Sequence, residues 1–356
     1  MKYHSVCVES LGYTLPDEIV SSEEIERRLA PLYARLRLPA GRLELMTGIR
    51  ERRVWPAGTL PSPISVVSGR RAIEAAGIDR DEIGALIHGS VCRDFLEPAT
   101  ACGVHHQLGL QRDCMIYDVS NACLGLLNGM VQVANMIELG QIRAGLIVAS
   151  EVSRPLMETT IAMLNTDQAL TRDTVKPALA SLTIGSASAA VLLVHREISR
   201  TQNRLLCATA RSNTDAHELC RSGRDETVGG GMQPLMETDA EKLMHEGIAV
   251  GRETFDQLLN ETGWSVKDIS KTACHQVGSA HRKMMLEKFG LNPENDFVTY
   301  PWLGNTGAAA LPVTLAIGIE KGHYQSGDRV AMLGIGSGIN VMMLAMELRE
   351  GLVAAG

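Results

Sequence analysis

The chain has no Cys-x-x-Cys pair, although it carries eight cysteines in 356 residues. Scattered singly, they offer neither a zinc-ligand spacing nor a disulfide framework, which points to a reducing cytoplasm. His105-His106, and His275 with His281, lack a carboxylate or cysteine at ligand spacing, so no metal is expected there. No block of basic residues stands out against a net charge of −7, which argues against a nucleic-acid partner. No apolar run suggests a membrane span, and Met1 to Cys7 leads straight into a strand with no basic-then-apolar secretory leader. What is present is apolar bulk: 45% hydrophobic content can bury one large core or two joined half-domains.

One stretch carries the most information. In Tyr117-Asp118-Val119-Ser120-Asn121-Ala122-Cys123-Leu124-Gly125, a β-prone run from Met115 to Val119 meets a helix over Leu124 to Leu139, whose apolar residues recur at Leu124, Leu127, Val131 and Ala134. Gly140 ends that helix. A thiol at the first turn lies on the positive end of the helix dipole among unpaired N–H groups, so Cys123 is expected to favour the thiolate at neutral pH. The same N–H groups can hold an oxyanion formed when the thiolate attacks a carbonyl.

Two possible partners lie far downstream. Thr272-Ala273-Cys274-His275-Gln276 reads as a strand end, which puts His275 at the carboxyl edge of a strand. Leu303-Gly304-Asn305-Thr306-Gly307-Ala308 reads as a turn opening a helix from Ala308 to Glu320, with Asn305 at its start. Alone, His275 is more often a satisfied core histidine and Asn305 more often a helix cap. A cysteine, a histidine and an asparagine at three element junctions together form the usual set for thiol-based acyl transfer.

The chain also repeats its own layout. A buried strand Ala85 to Ser90, the Cys123 elbow and a strand Ala144 to Ser150 are followed by the His275 strand, the Asn305 elbow and a strand Arg329 to Gly334. Two such halves, 1–198 and 199–356, would meet at the polar run Arg196 to Asn203 and bring both elbows to a shared centre at the strand carboxyl ends. A Met-rich insertion, 153–182, interrupts the first half as a surface cap, a tunnel lining or a dimer contact.

Over essentially its whole length the sequence resembles the thiolase-fold condensing enzymes of the ketoacyl synthase III group. The resemblance rests on Leu11-Gly12-Tyr13-Thr14-Leu15-Pro16, Thr47-Gly48-Ile49-Arg50-Glu51-Arg52, Ala122-Cys123, His275-Gln276, Gly304-Asn305-Thr306 and Gly334-Ile335-Gly336-Ser337-Gly338, in that order. It implies an α/β fold of five layers, αβαβα, built from two duplicated halves. It implies that Cys123 carries the acyl group as a thioester, that His275 and Asn305 stabilise the enolate or its thioester oxygen, and that the N–H groups of Cys123 and Ser337 form an oxyanion hole.

Within that group, Cys92-Arg93-Asp94-Phe95-Leu96-Glu97-Pro98-Ala99-Thr100 matches the loop that enters the neighbouring subunit's active site. Fatty-acid-initiating synthases carry a large apolar residue at the place of Glu97, because loss of CO2 from malonyl generates the carbanion. A carboxylate there implies abstraction of an α-proton by a desolvated glutamate. That pattern resembles the acyl-CoA condensing enzymes of long-chain olefin biosynthesis, the OleA type, which join two fatty acyl-CoAs head to head to a 3-keto product released as the acid. The resemblance thus implies a cytoplasmic homodimer acting on fatty acyl-CoA, with no cofactor. A 3-oxoacyl-ACP synthase III condensing acyl-CoA with malonyl-ACP is the alternative, and a non-catalytic thiolase-fold partner subunit a third reading. The tryptophan and arginine that clamp the coenzyme A adenine in synthase III enzymes are replaced by Arg42 and Met46. Arg42, stacking by itself, and Gly304 are then the candidate coenzyme A contacts, and acyl carrier protein stays open as the carrier.

Overall fold

The computed structural model describes residues 1–223, 235–350 and 353–356. Its strands are β1 (Val6–Thr14), β2 (Glu18–Ser21), β3 (Glu51–Val54), β4 (Ile83–His88), β5 (Met115–Asp118), β6 (Ala144–Glu151), β7 (Ala187–His195), β8 (Arg204–Ser212), β9 (Cys220–Ser222), β10 (Met236–Thr238), β11 (Lys271–Cys274), β12 (Arg329–Gly336), β13 (Asn340–Glu347) and β14 (Val353–Ala355). The main sheet runs β11-β12-β13-β8-β1-β7-β6-β4-β5, with β14 beside β1. β4-β6-β7-β1 pair parallel, antiparallel and antiparallel. β11-β12-β13-β8 repeat that pattern. The two sets meet where β1 touches β8 through the single pair Cys7 and Arg204. Residues 196–203 link β7 to β8 beside that junction, held by buried Glu9, which accepts from Ser199 Oγ at 2.6 Å and Arg200 N at 2.8 Å.

Helices Gly125–Glu138 and Ala310–Glu320 form the central layer, sharing one core with strands of both sets. The second is apolar on nearly every face, because a helix packed between the two strand sets has no solvent side. Helices Pro61–Ala76 and Thr100–Leu108 cover the outside of the first set, and Ala240–Thr262 and Ser279–Phe289 that of the second. These are the five expected layers. The insertion 153–182 forms a cap: Met157, Ile161, Leu164 and Leu182 share a small separate core with Ile25, Leu29 and Leu32. Among the described residues, no helix is long and apolar enough to cross a membrane.

Candidate active site

The Cys123 elbow is tighter than the sequence predicts. β5 stops at Asp118, Ala122 takes φ 44°, and Ala122–Leu124 form a 3-10 turn, so the α-helix begins at Gly125 rather than Leu124. A left-handed alanine is strained and persists only where its neighbours fix it. Here a chain of amides does so: Asn121 Nδ2 donates to Asn128 Oδ1 at 2.6 Å, while Asn340 Nδ2 donates to Asn121 Oδ1 at 3.0 Å and to Ser337 O at 3.1 Å. The half-buried Ser337 is thereby tied to the elbow. The end of β12 lies directly against the cysteine, since a Cβ on Gly336 would stand 3.7 Å from Cys123 Cβ and 3.0 Å from Leu124 Cγ. Neither Asn128 nor Asn340 is expected from the sequence, although Asn128 follows Asn121 by only seven residues.

His275 follows β11, the neighbour of β12, and donates its backbone N–H to Leu333 O at 2.9 Å. Gln276 steadies the strand end: its Oε1 accepts from Thr299 N at 3.0 Å and Tyr300 N at 3.2 Å, and its Nε2 donates to Cys274 O at 2.8 Å. The imidazole is buried, and its Nδ1 has no partner among the described residues. Burial, reinforced by nearby His281, pushes its pKa down to about 3, so the ring is neutral at physiological pH.

Asn305 is placed by crossing Thr183 to Gly185: its N–H donates to Thr183 O at 2.9 Å and its carbonyl accepts from Gly185 N at 2.9 Å. Its Oδ1 accepts from Gly307 N at 3.0 Å, so the Nδ2 donors are not engaged by that turn. A 3-10 turn, Gly307–Ala309, intervenes, so the helix starts at Ala310 rather than Ala308. That turn packs on Ala122–Leu124. Gly304 is buried against Thr183 and Arg52, a backbone crossing rather than an open surface. Arg42 is half-buried at the start of helix Arg42–Thr47, whose Thr47 abuts Gly278 in the loop after His275.

The sequence reading misses a carboxylate whose charge reaches the thiol. Glu151, the last residue of β6, is buried and accepts from Val91 N at 3.0 Å, Cys92 N at 3.2 Å and Ala308 N at 3.2 Å. Burial raises its pKa while those N–H groups hold it down. The expectation of a thiolate at Cys123 is overturned. Burial first, then the Glu151 charge, with a smaller push from Cys220, raises the thiol from an ordinary 9.0 to about 12. The residue as a whole is only half-buried, but protein atoms surround its sulfur closely. In the 3-10 turn the thiol stands ahead of the α-helix, so lost hydration outweighs the dipole.

Glu97 does not join these groups within one chain. It is exposed on an arm, residues 91–98, whose apolar Phe95 and Leu96 are 58% and 49% exposed. The base of the arm is nonetheless ordered. Asp94 Oδ1 accepts from Ser62 N at 2.9 Å, Asp94 N donates to Thr100 Oγ1 at 3.2 Å, and Thr100 N donates to Asp118 Oδ2 at 2.7 Å.

Two family profiles match the chain: Thiolase, N-terminal domain, over residues 49–229, and 3-Oxoacyl-[acyl-carrier-protein (ACP)] synthase III C terminal, over 259–348. The acyl-CoA:acyl-CoA alkyltransferase of Shewanella oneidensis is 43% identical, covering 98% of this chain and 100% of the relative. That of Xanthomonas campestris is 34% identical, covering 96% and 98%. The crystal structure of a serine-for-cysteine form of Xanthomonas campestris OleA with bound lauric acid and lauroyl-CoA superposes with a TM-score of 0.90 at 33% identity, covering 97% of this chain and 99% of that one. The same protein has been solved with a glutamate or a histidine replaced.

Proposed function

The chain belongs to the acyl-CoA:acyl-CoA alkyltransferase family of thiolase-fold condensing enzymes, and from that membership we propose that it joins two fatty acyl-CoAs head to head by a thioester Claisen condensation. It is an acyltransferase, and its substrates are coenzyme A thioesters, with no further cofactor.

Cys123 Sγ attacks the carbonyl of the first acyl-CoA. The bond to the coenzyme A sulfur breaks, and the cysteine proton leaves with the departing thiol. The N–H groups of Cys123 and Ser337 receive the oxyanion. Glu97 of the partner subunit removes an α-proton from the second acyl-CoA, and neutral His275 with Asn305 Nδ2 hold the enolate oxygen. The carbanion attacks the Cys123 thioester, a C–C bond forms, and Cys123 leaves as the thiol, taking up, directly or through solvent, the proton that Glu97 removed, which returns both groups to their starting state. Water then cleaves the 3-ketoacyl-CoA to the 3-keto acid and a second coenzyme A.

The observation that carries this reading is the meeting of three junctions. Gly336 stands against Cys123, His275 leaves the adjoining strand, and the Asn305 turn packs on the elbow. The exposed Glu97 arm supports a homodimer with shared sites and favours the non-decarboxylative route over the malonyl-ACP alternative. We read the chain as halves 1–198 and 199–356, and place it in the cytoplasm with its cysteines free. Arg42, at the start of the helix whose Thr47 abuts the loop after His275, is the coenzyme A contact in this account, and substitution of acyl carrier protein for coenzyme A as carrier tests that choice.

Glu97→Ala separates the half-reactions. The variant should still gain one acyl mass on Cys123 from a long acyl-CoA while losing condensation at least a hundredfold, the range of a removed general base. Near-parent condensation in Glu97→Ala would overturn the reading.

A further inference from the structure

Glu151 lies within 3.2 Å of N–H groups from two separate parts of the molecule, yet no step of the proposed reaction uses it. Its Oε1 accepts from Val91 N, at the base of the Glu97 arm, and from Ala308 N, in the turn that follows Asn305. Its Oε2 accepts from Cys92 N. A buried carboxylate with three N–H donors is held in one position, because losing any of them would leave charge unsolvated. Gly307 is part of the arrangement. At φ +55° it lets the carboxylate approach so closely that a Cβ there would stand 3.0 Å from Glu151 Cδ. A second clamp lies alongside, where Val152 N donates to Cys92 Sγ at 3.4 Å.

We propose that Glu151 is a positioning residue that locks the base of the Glu97 arm to the Asn305 turn and the Cys123 elbow of its own chain. The arm ends in a partner's site if the shared-site reading above holds, and the inference rests on that reading. Glu151 of one chain then sets the aim of the base that serves the other chain's cysteine, and links the two sites of the dimer through one carboxylate. Its charge beside Cys123 also adds, after burial, to the raising of the thiol's pKa.

Glu151→Gln keeps the shape but turns one oxygen into a donor, so at least one of the three N–H groups faces an NH2. Heterodimers purified through two different tags separate the possible roles. In the first pairing, a Cys123→Ala chain that also carries Glu151→Gln faces a parent chain. The only working cysteine then has an intact Glu151 of its own and receives an arm whose anchoring carboxylate has been replaced by an amide. In the second pairing, a Cys123→Ala chain faces a Glu151→Gln chain, so the defect lies beside the working cysteine and the arm is intact. The positioning role predicts condensation at least fivefold lower in the first pairing than in the second, with acylation of the working Cys123 equal to that opposite plain Cys123→Ala. Equal losses in both pairings, or the larger loss in the second, would overturn it, because a purely structural or local role cannot act across the interface. Glu151→Asp, which keeps the charge but withdraws it by one methylene, is read in the same way should the glutamine variant not fold. A third pairing, Cys123→Ala with Glu97→Ala on one chain opposite a parent chain, tests the shared site separately. Undiminished condensation there would show that Glu97 does not act in trans, and both proposals would fall; lost condensation there with no asymmetry at Glu151 would remove only the positioning role.

Discussion

Iodoacetamide should alkylate Cys123 of the substrate-free enzyme some 30- to 60-fold more slowly at pH 8 than it alkylates an unperturbed cysteine. The thiol is raised from 9.0 to about 12, chiefly by burial and then by Glu151. That difference leaves about a thousandfold less thiolate at any pH below 9. A more basic thiolate is a better nucleophile, by roughly 15- to 30-fold over this range, and so recovers part of the loss. Slow reaction by itself could reflect steric access, which would depress the rate equally at every pH. The pH profile separates the two. Peptide mapping of Cys123 after timed alkylation between pH 7 and pH 10 should give a rate constant rising about tenfold per unit with no plateau. Glu151→Gln should raise the rate at each pH, because one nearby negative charge is gone. A profile that levels off with a midpoint at or below 9 would refute the reasoning and restore the dipole-stabilised thiolate that the sequence suggests.

The amide chain at the elbow makes a second prediction. Asn121→Ala removes the acceptor of Asn340 Nδ2 and the donor to Asn128, so kcat should fall about tenfold as the Ser337 loop loosens, with KM changed far less; an unaltered kcat would contradict the role given to that loop. The buried histidines predict the response to acid. His275 and His281 are pushed down to about 3 and about 4, whereas in the unfolded chain they take up protons from about pH 6.5 downward. The unfolded state then binds more protons, so their stabilising contribution is complete above that pH and is lost as the pH falls toward 4. In His281→Gln the slope of unfolding free energy between pH 6.5 and pH 4.5 should be shallower by up to about 1.4 kcal/mol per pH unit, measured by denaturant unfolding. A slope equal to the parent's would contradict the neutral assignment.

The positions of the two elbows were legible because the apolar rhythm of helix Gly125–Glu138 begins sharply after the first and because Gly304 and Gly307 flank the second. The tight 3-10 turns were not, since nothing in Ala122-Cys123-Leu124 announces a left-handed alanine, and its cause lies in Asn340, far away in sequence. The titration of Cys123 was illegible for the same reason: it depends on β12 and Glu151 closing around the sulfur, and a helix-start rule contains neither. Glu151 itself looks like any charged residue ending a strand. Only the fold reveals that all of β6 is buried to its last residue, so that this carboxylate points into protein rather than water. Glu97, by contrast, was readable through family resemblance alone, since an exposed glutamate before a proline carries no local signal.

The central claim, that both carbon chains come from acyl-CoA and no carboxylate is lost in making the new bond, is tested most directly with one carbonyl-labelled long-chain acyl-CoA and no malonyl donor. The account predicts an α-alkyl β-keto acid with label at both the carboxyl and the keto carbon, and two free coenzyme A thiols per product, seen by mass spectrometry and thiol titration. No product until malonyl thioester is added, or a product labelled at the keto carbon alone, would contradict it.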